Sequence, residues 1–168
     1  MLPPINLKNW INENRHLLKP PVGNKVVYED TEFIIMVVGG PNIRKDYHID
    51  EGEEFFYQLE GDMILKIIDN GKLMDISIKE GDIFLLPPKV PHSPQRFKNT
   101  IGLVIERKRR DGELDGFQWY CDSCHSLLYE EYLPLVDMVS QLPPIFEKFW
   151  KNKIARTCKS CNTYLKKN

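Results

Sequence analysis

No stretch of the chain approaches the roughly 18 consecutive apolar residues that a bilayer crossing needs, so a membrane span is not expected. The opening residues Met1-Leu2-Pro3-Pro4 lack a basic region followed by an apolar core, the pattern of an export leader, and a cytoplasmic location is expected. An excess of either charge is missing too. Lys and Arg number 23 against 24 Asp and Glu, leaving a net charge of -1 that advertises neither nucleic acid nor an anionic membrane as partner. No helix-turn-helix pattern or basic face is visible. The single basic run, Arg107-Lys108-Arg109-Arg110, is offset by Asp111, Glu113 and Asp115 and reads as a solvated loop after a strand. Internal repeats and low-complexity segments are absent, which removes solenoid and linker architectures. Cysteine is scarce, with four residues, and in a reducing compartment their spacing is read for metal before disulfides.

What is present is a soluble globular composition, 42% apolar and 28% charged over 168 residues, enough for one domain with a real core and a small appendage. Apolar residues at three- and four-residue steps over 5–18 predict a short amphipathic helix ended by Lys19-Pro20-Pro21. Short β-rich runs follow at 26–28, 33–38, 55–59, 63–68, 73–78, 83–86 and 101–105, and Asp69-Asn70-Gly71 between two of them is a hairpin signal. The expected class is mainly β, a small barrel or sandwich. After about residue 110 come a loop, a CxxC, helices expected over 129–140 and over 144–152, the latter opened by Pro143-Pro144, and a final CxxC. The expected organisation is therefore a barrel with its N-terminal helix over 1–110 and an extension over 111–168.

Two glycine-punctuated patterns lie in the β-rich part. His48, Asp50, Glu54 and Gly61 fall on H-x-H-x3-E-x6-G with Asp in place of the second His; Gly81, Pro87, Lys89, His92 and Arg96 fall on G-x5-P-x-G-x2-H-x3-N with Gly and Asn replaced. In this order, with strands between them, they resemble the two motifs of the cupin superfamily over about residues 25–107, which implies a jelly-roll barrel holding one metal. Two imidazoles and a carboxylate converging on one face of an ion are also the ligand signature of non-haem Fe(II) oxygenases, and His48, Glu54 and His92 make such a set. Asp50 competes for the same role, and Glu54 is favoured by its place before the closing glycine. The acids Asp46, Asp50, Glu51, Glu53 and Glu60 are expected to be solvated.

Cys121-x-x-Cys124 and Cys158-x-x-Cys161 offer four thiolates to one tetrahedral ion, zinc or a rubredoxin-like iron, whose closed coordination suits a structural pin. Cys121 to His125 also spells a haem c attachment signature, and CxxC a thioredoxin-like one, but neither an export signal nor a βαβ context accompanies them. Arg44 lies four residues before His48 and Arg96 four after His92. Two guanidinium groups beside one metal suggest an anionic substrate, most simply a carboxylate. Glu106, at the end of the run at 101–105, can point inward by alternation with Val104.

The strings HLLKPPVGN (16–24), VVGGPN (37–42), R-x-D-Y-H (44–48), EEFFYQ (53–58), KEGDIFLLPP (79–88), HSPQR (92–96), LVIER (103–107) and LDGFQWYC (114–121), with both CxxC pairs, resemble the family of 3-hydroxyanthranilate-cleaving dioxygenases in its bacterial and fungal form. The resemblance spans nearly the whole chain. It implies Fe(II) held by His48, Glu54 and His92, the substrate carboxylate held by Arg44 and Arg96 with Arg44 also beside dioxygen, and Glu106 taking a proton. Glu54 would border the substrate as well. The implied product is 2-amino-3-carboxymuconate 6-semialdehyde, which closes to quinolinate in tryptophan breakdown and NAD synthesis. A second iron or zinc at the four cysteines is implied, and a homodimer joined near 33–38 and the N-terminal segment. The alternatives are a non-catalytic cupin that senses a small carboxylated aromatic, and another small-acid cupin dioxygenase.

Overall fold

In the computed structural model, which describes residues 2–20 and 23–167, alternating strands build two antiparallel sheets packed face to face. Met1, Pro21, Val22 and Asn168 lie outside the described residues, and with them Pro21 of the helix-ending Lys19-Pro20-Pro21 and two residues of the string at 16–24. Helix α1 (Leu7–Asn14) comes first, continued by a 3-10 turn at Arg15–Leu17, then strands β1 (Asn24–Val26), β2 (Phe33–Gly39), β3 (Asp46–Ile49), β4 (Glu54–Glu60), β5 (Met63–Asp69) and β6 (Lys72–Ile78). Strands β7 (Ile83–Leu86), β8 (His92–Arg96), β9 (Ile101–Arg107), β10 (Asp115–Tyr120) and β11 (Leu127–Leu133) follow, and α2 (Met138–Lys151) is the last helix. One sheet runs β1-β2-β9-β4-β7, the other β11-β10-β3-β8-β5-β6.

Local sequence explains most of these elements. Asn6 caps α1 by accepting a hydrogen bond from the Asn9 N–H at 3.0 Å, and the buried Ile11 packs with Leu18, Val37 and Ile101. The β5–β6 hairpin turns on Asn70 and Gly71, both with positive φ (48° and 75°), as a two-residue loop matched to strand twist requires. Between the sheets, Phe56, Met63, Leu65, Ile67, Ile78, Leu86 and Val104 form the apolar core that fills one end of the sandwich. The other end is polar.

Three expectations need correction. Residues 127–133 form a strand rather than the start of a helix over 129–140: Trp119 on β10 pairs in register with Tyr129, their rings 5.8 Å apart, and that cross-strand aromatic contact outweighs the helical spacing of Leu128, Tyr132 and Leu135. The following helix begins at Met138, ahead of the prolines thought to open it. Asp137 accepts from the Ser140 N–H at 3.3 Å and hydroxyl at 2.5 Å, so the cap is set there and Pro143 and Pro144 lie inside α2, their missing N–H groups falling in its second turn. Strands β3, β8 and β10 were not expected: β3 and β8 bury largely polar positions, and β10 offers only the short alternation of Phe117 and Trp119.

Residues 111–168 thus place β10 and β11 at the end of the six-stranded sheet, β10 pairing with β3, while α2 covers a second core of Phe117, Trp119, Leu135, Ile145, Phe149 and Leu165. Phe149 stacks on Trp119 at 4.4 Å between ring centroids. Phe149→Ala is expected to destabilise the protein by about 3–5 kcal/mol, read from the urea midpoint at constant m value; a loss below about 1 kcal/mol would remove this stack from the core.

Candidate active site

The polar end of the sandwich draws side chains from both sheets. His48 on β3 stands directly opposite His92 on β8, with ring centroids 5.2 Å apart, while Glu54 on β4 pairs in register with Glu106 on β9. One ligand atom from each of His48, Glu54 and His92 lies within 4.8 Å of the others, and the three are 9%, 7% and 2% exposed. Gly61 and Gly81 of the two motifs have positive φ, and so does Lys89 (64°), which keeps the backbone shape of the glycine it replaces while its N–H donates to the Asp50 carbonyl at 2.7 Å.

The donor chemistry fits a metal ion. His92 Nδ1–H donates to the Val90 carbonyl at 3.0 Å, fixing the tautomer and leaving the Nε2 lone pair toward Glu54 Oε2 at 2.8 Å. That contact is close but not aligned as a hydrogen bond, and Glu54 Oε2 is buried without a hydrogen-bond partner. Two facing acceptors inside a protein need a positive charge between them, a proton or a metal ion. Burial lowers the basicity of His92, but the Glu54 charge outweighs it and raises the imidazole above its ordinary range. For Glu54, burial pushes the carboxyl up and is overcome by His92, His48 and Arg109, so it lies below the usual carboxylate range. Burial holds His48 below its ordinary value although its Nε2 meets Asp115 Oδ2 at 2.6 Å.

Arg44, Arg96 and Glu106 line the same cavity, of about 120 Å³, with Phe56 and Phe117 among its apolar walls and Leu135, Met138 and Leu142 contributed by the C-terminal segment. Arg96 is 2% exposed and hydrogen-bonds Gln58 Oε1 at 3.2 Å, yet no carboxylate among the described residues pairs with it. Burial drives its pKa down to about 10, against the opposing charge of Glu54. Gly102 makes room for this arrangement: a Cβ there would lie 2.5 Å from Arg96 Nη1 and 2.8 Å from Gln58 Oε1. Arg44, by contrast, is already paired with Asp46. Burial and the Glu54 charge push Glu106 up to about 7, a shift that Arg109 at 2.9 Å limits.

Arg44, His48, Glu54, His92, Arg96 and Glu106, the six residues singled out in the sequence, thus line one cavity, while several of their neighbours depart from expectation. Asp46 and Asp50, expected in solvent, are 7% and 4% exposed; Asp50 accepts from the Gly52 N–H at 2.7 Å and sits 3.1 Å from Arg109. Arg109, expected in a solvated loop, is half-buried, its side chain 10% exposed against Glu106 and Asp115. Asp115 and Gln58 were missed, and the only signal for Asp115 was its place in the string at 114–121. Away from this cavity, the four cysteine sulfurs also lie within 4.8 Å of one another, with Cys121–Cys161 and Cys124–Cys158 Sγ separations of 3.5 Å.

A family model described as 3-hydroxyanthranilic acid dioxygenase matches residues 1–150. The chain belongs to this family. It is 58% identical over 161 residues to the 3-hydroxyanthranilate 3,4-dioxygenase of Xanthomonas euvesicatoria pv. vesicatoria, covering 96% of this chain and 91% of that protein. The enzymes of the same name from Jannaschia sp. and Shewanella woodyi are 55% and 54% identical over 157 residues, 93% of this chain and 87% and 83% of theirs. Membership of this dioxygenase family accords with a buried His, Glu, His cluster suited to a metal ion.

Because His92 must be unprotonated to ligate and Glu54 raises its pKa, protons compete with metal from a higher pH than for a free imidazole. Affinity for Co(II), measured by chelator competition, is expected to fall as pH drops from about 8 to about 5; a flat profile would take the histidines out of the ligand set.

Proposed function

We propose that the protein is an Fe(II)-dependent ring-cleaving dioxygenase that converts 3-hydroxyanthranilate and O2 to 2-amino-3-carboxymuconate 6-semialdehyde, the precursor of quinolinate. The observation that carries this reading is Arg96, a buried guanidinium without a carboxylate partner among the described residues, in the cavity that also holds the His48, Glu54 and His92 cluster. A buried unpaired cation is unfavourable until an anion arrives, which fits a substrate that carries a carboxylate.

His48, Glu54 and His92 would hold the iron, which would supply Lewis-acid and redox chemistry toward the substrate and dioxygen. Arg96 binds the substrate carboxylate, and Arg44, on the neighbouring segment whose Asn42 bridges to Arg96, assists and borders dioxygen, its charge shared with Asp46. Glu106 takes the proton of the substrate hydroxyl; with a pKa near 7 it is a base at neutral pH and also an acid strong enough to return that proton later. The apolar walls and the C-terminal segment exclude water from the opened ring. Both oxygen atoms enter the product, the aromatic ring supplies all four electrons, and no organic cofactor is required.

The four cysteines hold a second iron or zinc that pins the C-terminal segment rather than taking part in turnover. Among the described residues no helix is long and apolar enough to cross a membrane, and we place the protein in the cytoplasm. It acts as a homodimer. Phe33, Ile83 and Leu85 are 57%, 65% and 53% exposed on strands of one sheet, and β2, β9, β4 and β7 align Ile35, Ile105, Phe55 and Leu85 in one row across it. This apolar row, half-buried except at Leu85, together with the exposed Phe33 and Ile83 suits a second copy of the chain.

Anaerobic loading with Fe(II), followed by 3-hydroxyanthranilate and air, should yield the semialdehyde with one O2 consumed per product. Iron bound without product would overturn the enzyme reading. Arg96→Met, and Gly102→Ala by displacing the same guanidinium, are expected to raise KM by about 100-fold with a smaller change in kcat, as loss of a charge-assisted pair of about 3 kcal/mol implies. Leu85→Asp should turn the dimer into a monomer in light scattering, whereas a wild-type protein that is already monomeric would refute the dimer.

A further inference from the structure

The segment after β9 turns one arginine of its basic run inward. On either side the chain is clamped at the surface: the Lys108 N–H donates to the Glu32 carbonyl at 2.8 Å, and Arg107 forms two hydrogen bonds of 2.6 Å to the Glu113 carboxylate. Between these clamps the Arg109 side chain, 10% exposed, reaches three carboxylates. Its Nη1 donates to Glu106 Oε1 at 2.9 Å, its Nε and Nη2 grip Asp115 at 2.9 and 2.6 Å, and Asp50 Oδ2 lies at 3.1 Å. Asp115 is fully buried, and its Oδ2 also faces His48 Nε2 at 2.6 Å.

A single chain of contacts thus runs from Glu106 through Arg109 and Asp115 to His48. Arg109 holds the Glu106 carboxylate at both oxygens, Nη1 on Oε1 at 2.9 Å and Nη2 on Oε2 at a longer 3.4 Å, and the second lone pair of Oε2 can still accept from a molecule in the cavity. The His48 imidazole has its Nε2 committed to Asp115, which sets the ring's rotation relative to Glu54 and His92. For the fold alone, a buried cation among carboxylates is a poor source of stability compared with apolar packing. Its geometry serves orientation instead. A lysine would keep the charge but could not fork across Asp115 while reaching Glu106.

We propose that Arg109 is a positioning residue of the active site, acting through Glu106 on the substrate side and through Asp115 and His48 on the metal side. The Glu106 arm rests on the ring-cleavage reading given above; the His48 arm rests only on the metal cluster.

Two double-mutant cycles test the arms separately. In the first, kcat/KM for 3-hydroxyanthranilate is measured on iron-loaded wild type, Arg109→Met, Glu106→Gln and the double variant at matched iron content. Each single change should lower it by about 100-fold or more, and the double should fall no more than about 3-fold below Glu106→Gln alone. Losses that multiply would show a general structural effect and overturn the Glu106 arm. In the second, Co(II) affinity is measured by chelator competition without turnover: Arg109→Met and Asp115→Asn should each weaken it by about 10-fold, and their combination little further. Unchanged affinity would overturn the His48 arm. If melting shows that Arg109→Met does not fold, Arg109→Lys replaces it in both cycles under the same criteria. A folded, iron-loaded wild type without ring cleavage would overturn the functional reading and the Glu106 arm together, and the Co(II) cycle would still decide the His48 arm.

Discussion

Burying several carboxylates at one end of a two-sheet sandwich is the constraint on which this structure turns. Asp50, Glu54, Glu106 and Asp115 are all at most 7% exposed, and a carboxylate taken from water without compensation would protonate or unfold its surroundings. Compensation comes from neighbours placed by strand register. Glu54 and Glu106 are paired residues on adjacent strands, so both carboxyls point inward at the same level, and Glu106 feels the charge of Glu54. Glu54 stays ionised because His92, His48 and Arg109 surround it; Glu106, with less compensation, is pushed up to about 7. One sheet thus produces two carboxyls of different character from the same strand level, one suited to ligation and one to proton transfer.

The apolar part of the fold could be read directly, and the polar part only through its motifs. Strands β2, β4, β5, β6, β7 and β9 bury aliphatic and aromatic side chains, so their runs of Ile, Leu, Val and Phe announce them. Strands β3 and β8 bury Asp46, His48, Ser93, Gln95 and Arg96 instead, and no hydrophobic pattern marks them. These are the strands that carry both histidines. Glycine and proline spacing located His48 and His92 where periodicity was silent, because the turns of the motifs require positive φ at Gly61, Gly81 and Lys89 whatever the strands bury. Arg109 and Asp115 escaped for a different reason. Their pairing joins positions six residues apart across a turn clamped by Glu113, and a basic run beside acidic residues looks the same in sequence whether its charges meet inside or in water.

The C-terminal segment shows how the second core and the active site depend on each other. Phe117 belongs to the cluster built with Phe149 and Trp119, and its ring also stacks on His48 at 5.2 Å between centroids. The strand that carries it begins at Asp115, whose carboxylate meets the same histidine. Helix α2 and the strands beneath it therefore do more than cover the sheet: packing among aromatic residues fixes the plane of one imidazole, and a buried carboxylate fixes its rotation. That the cavity is lined in part by Leu135, Met138 and Leu142 follows from the same docking.

Charge balance connects the parts. Around the cavity, five buried carboxylates, Asp46, Asp50, Glu54, Glu106 and Asp115, stand against three guanidinium groups, Arg44, Arg96 and Arg109, leaving two negative charges when all are ionised. A divalent ion held by the histidines and Glu54 would neutralise that excess, which is a physical reason for two plus charges rather than one. A carboxylate substrate then brings one negative charge into a balanced site, and its bound hydroxyl brings another if it loses its proton to bulk water. In the proposed reaction, capture of that proton by Glu106 would keep the second charge out of the low-dielectric interior. A carboxyl poised near neutrality is what this requires, and the opposed effects of Glu54 and Arg109 on Glu106 place it there.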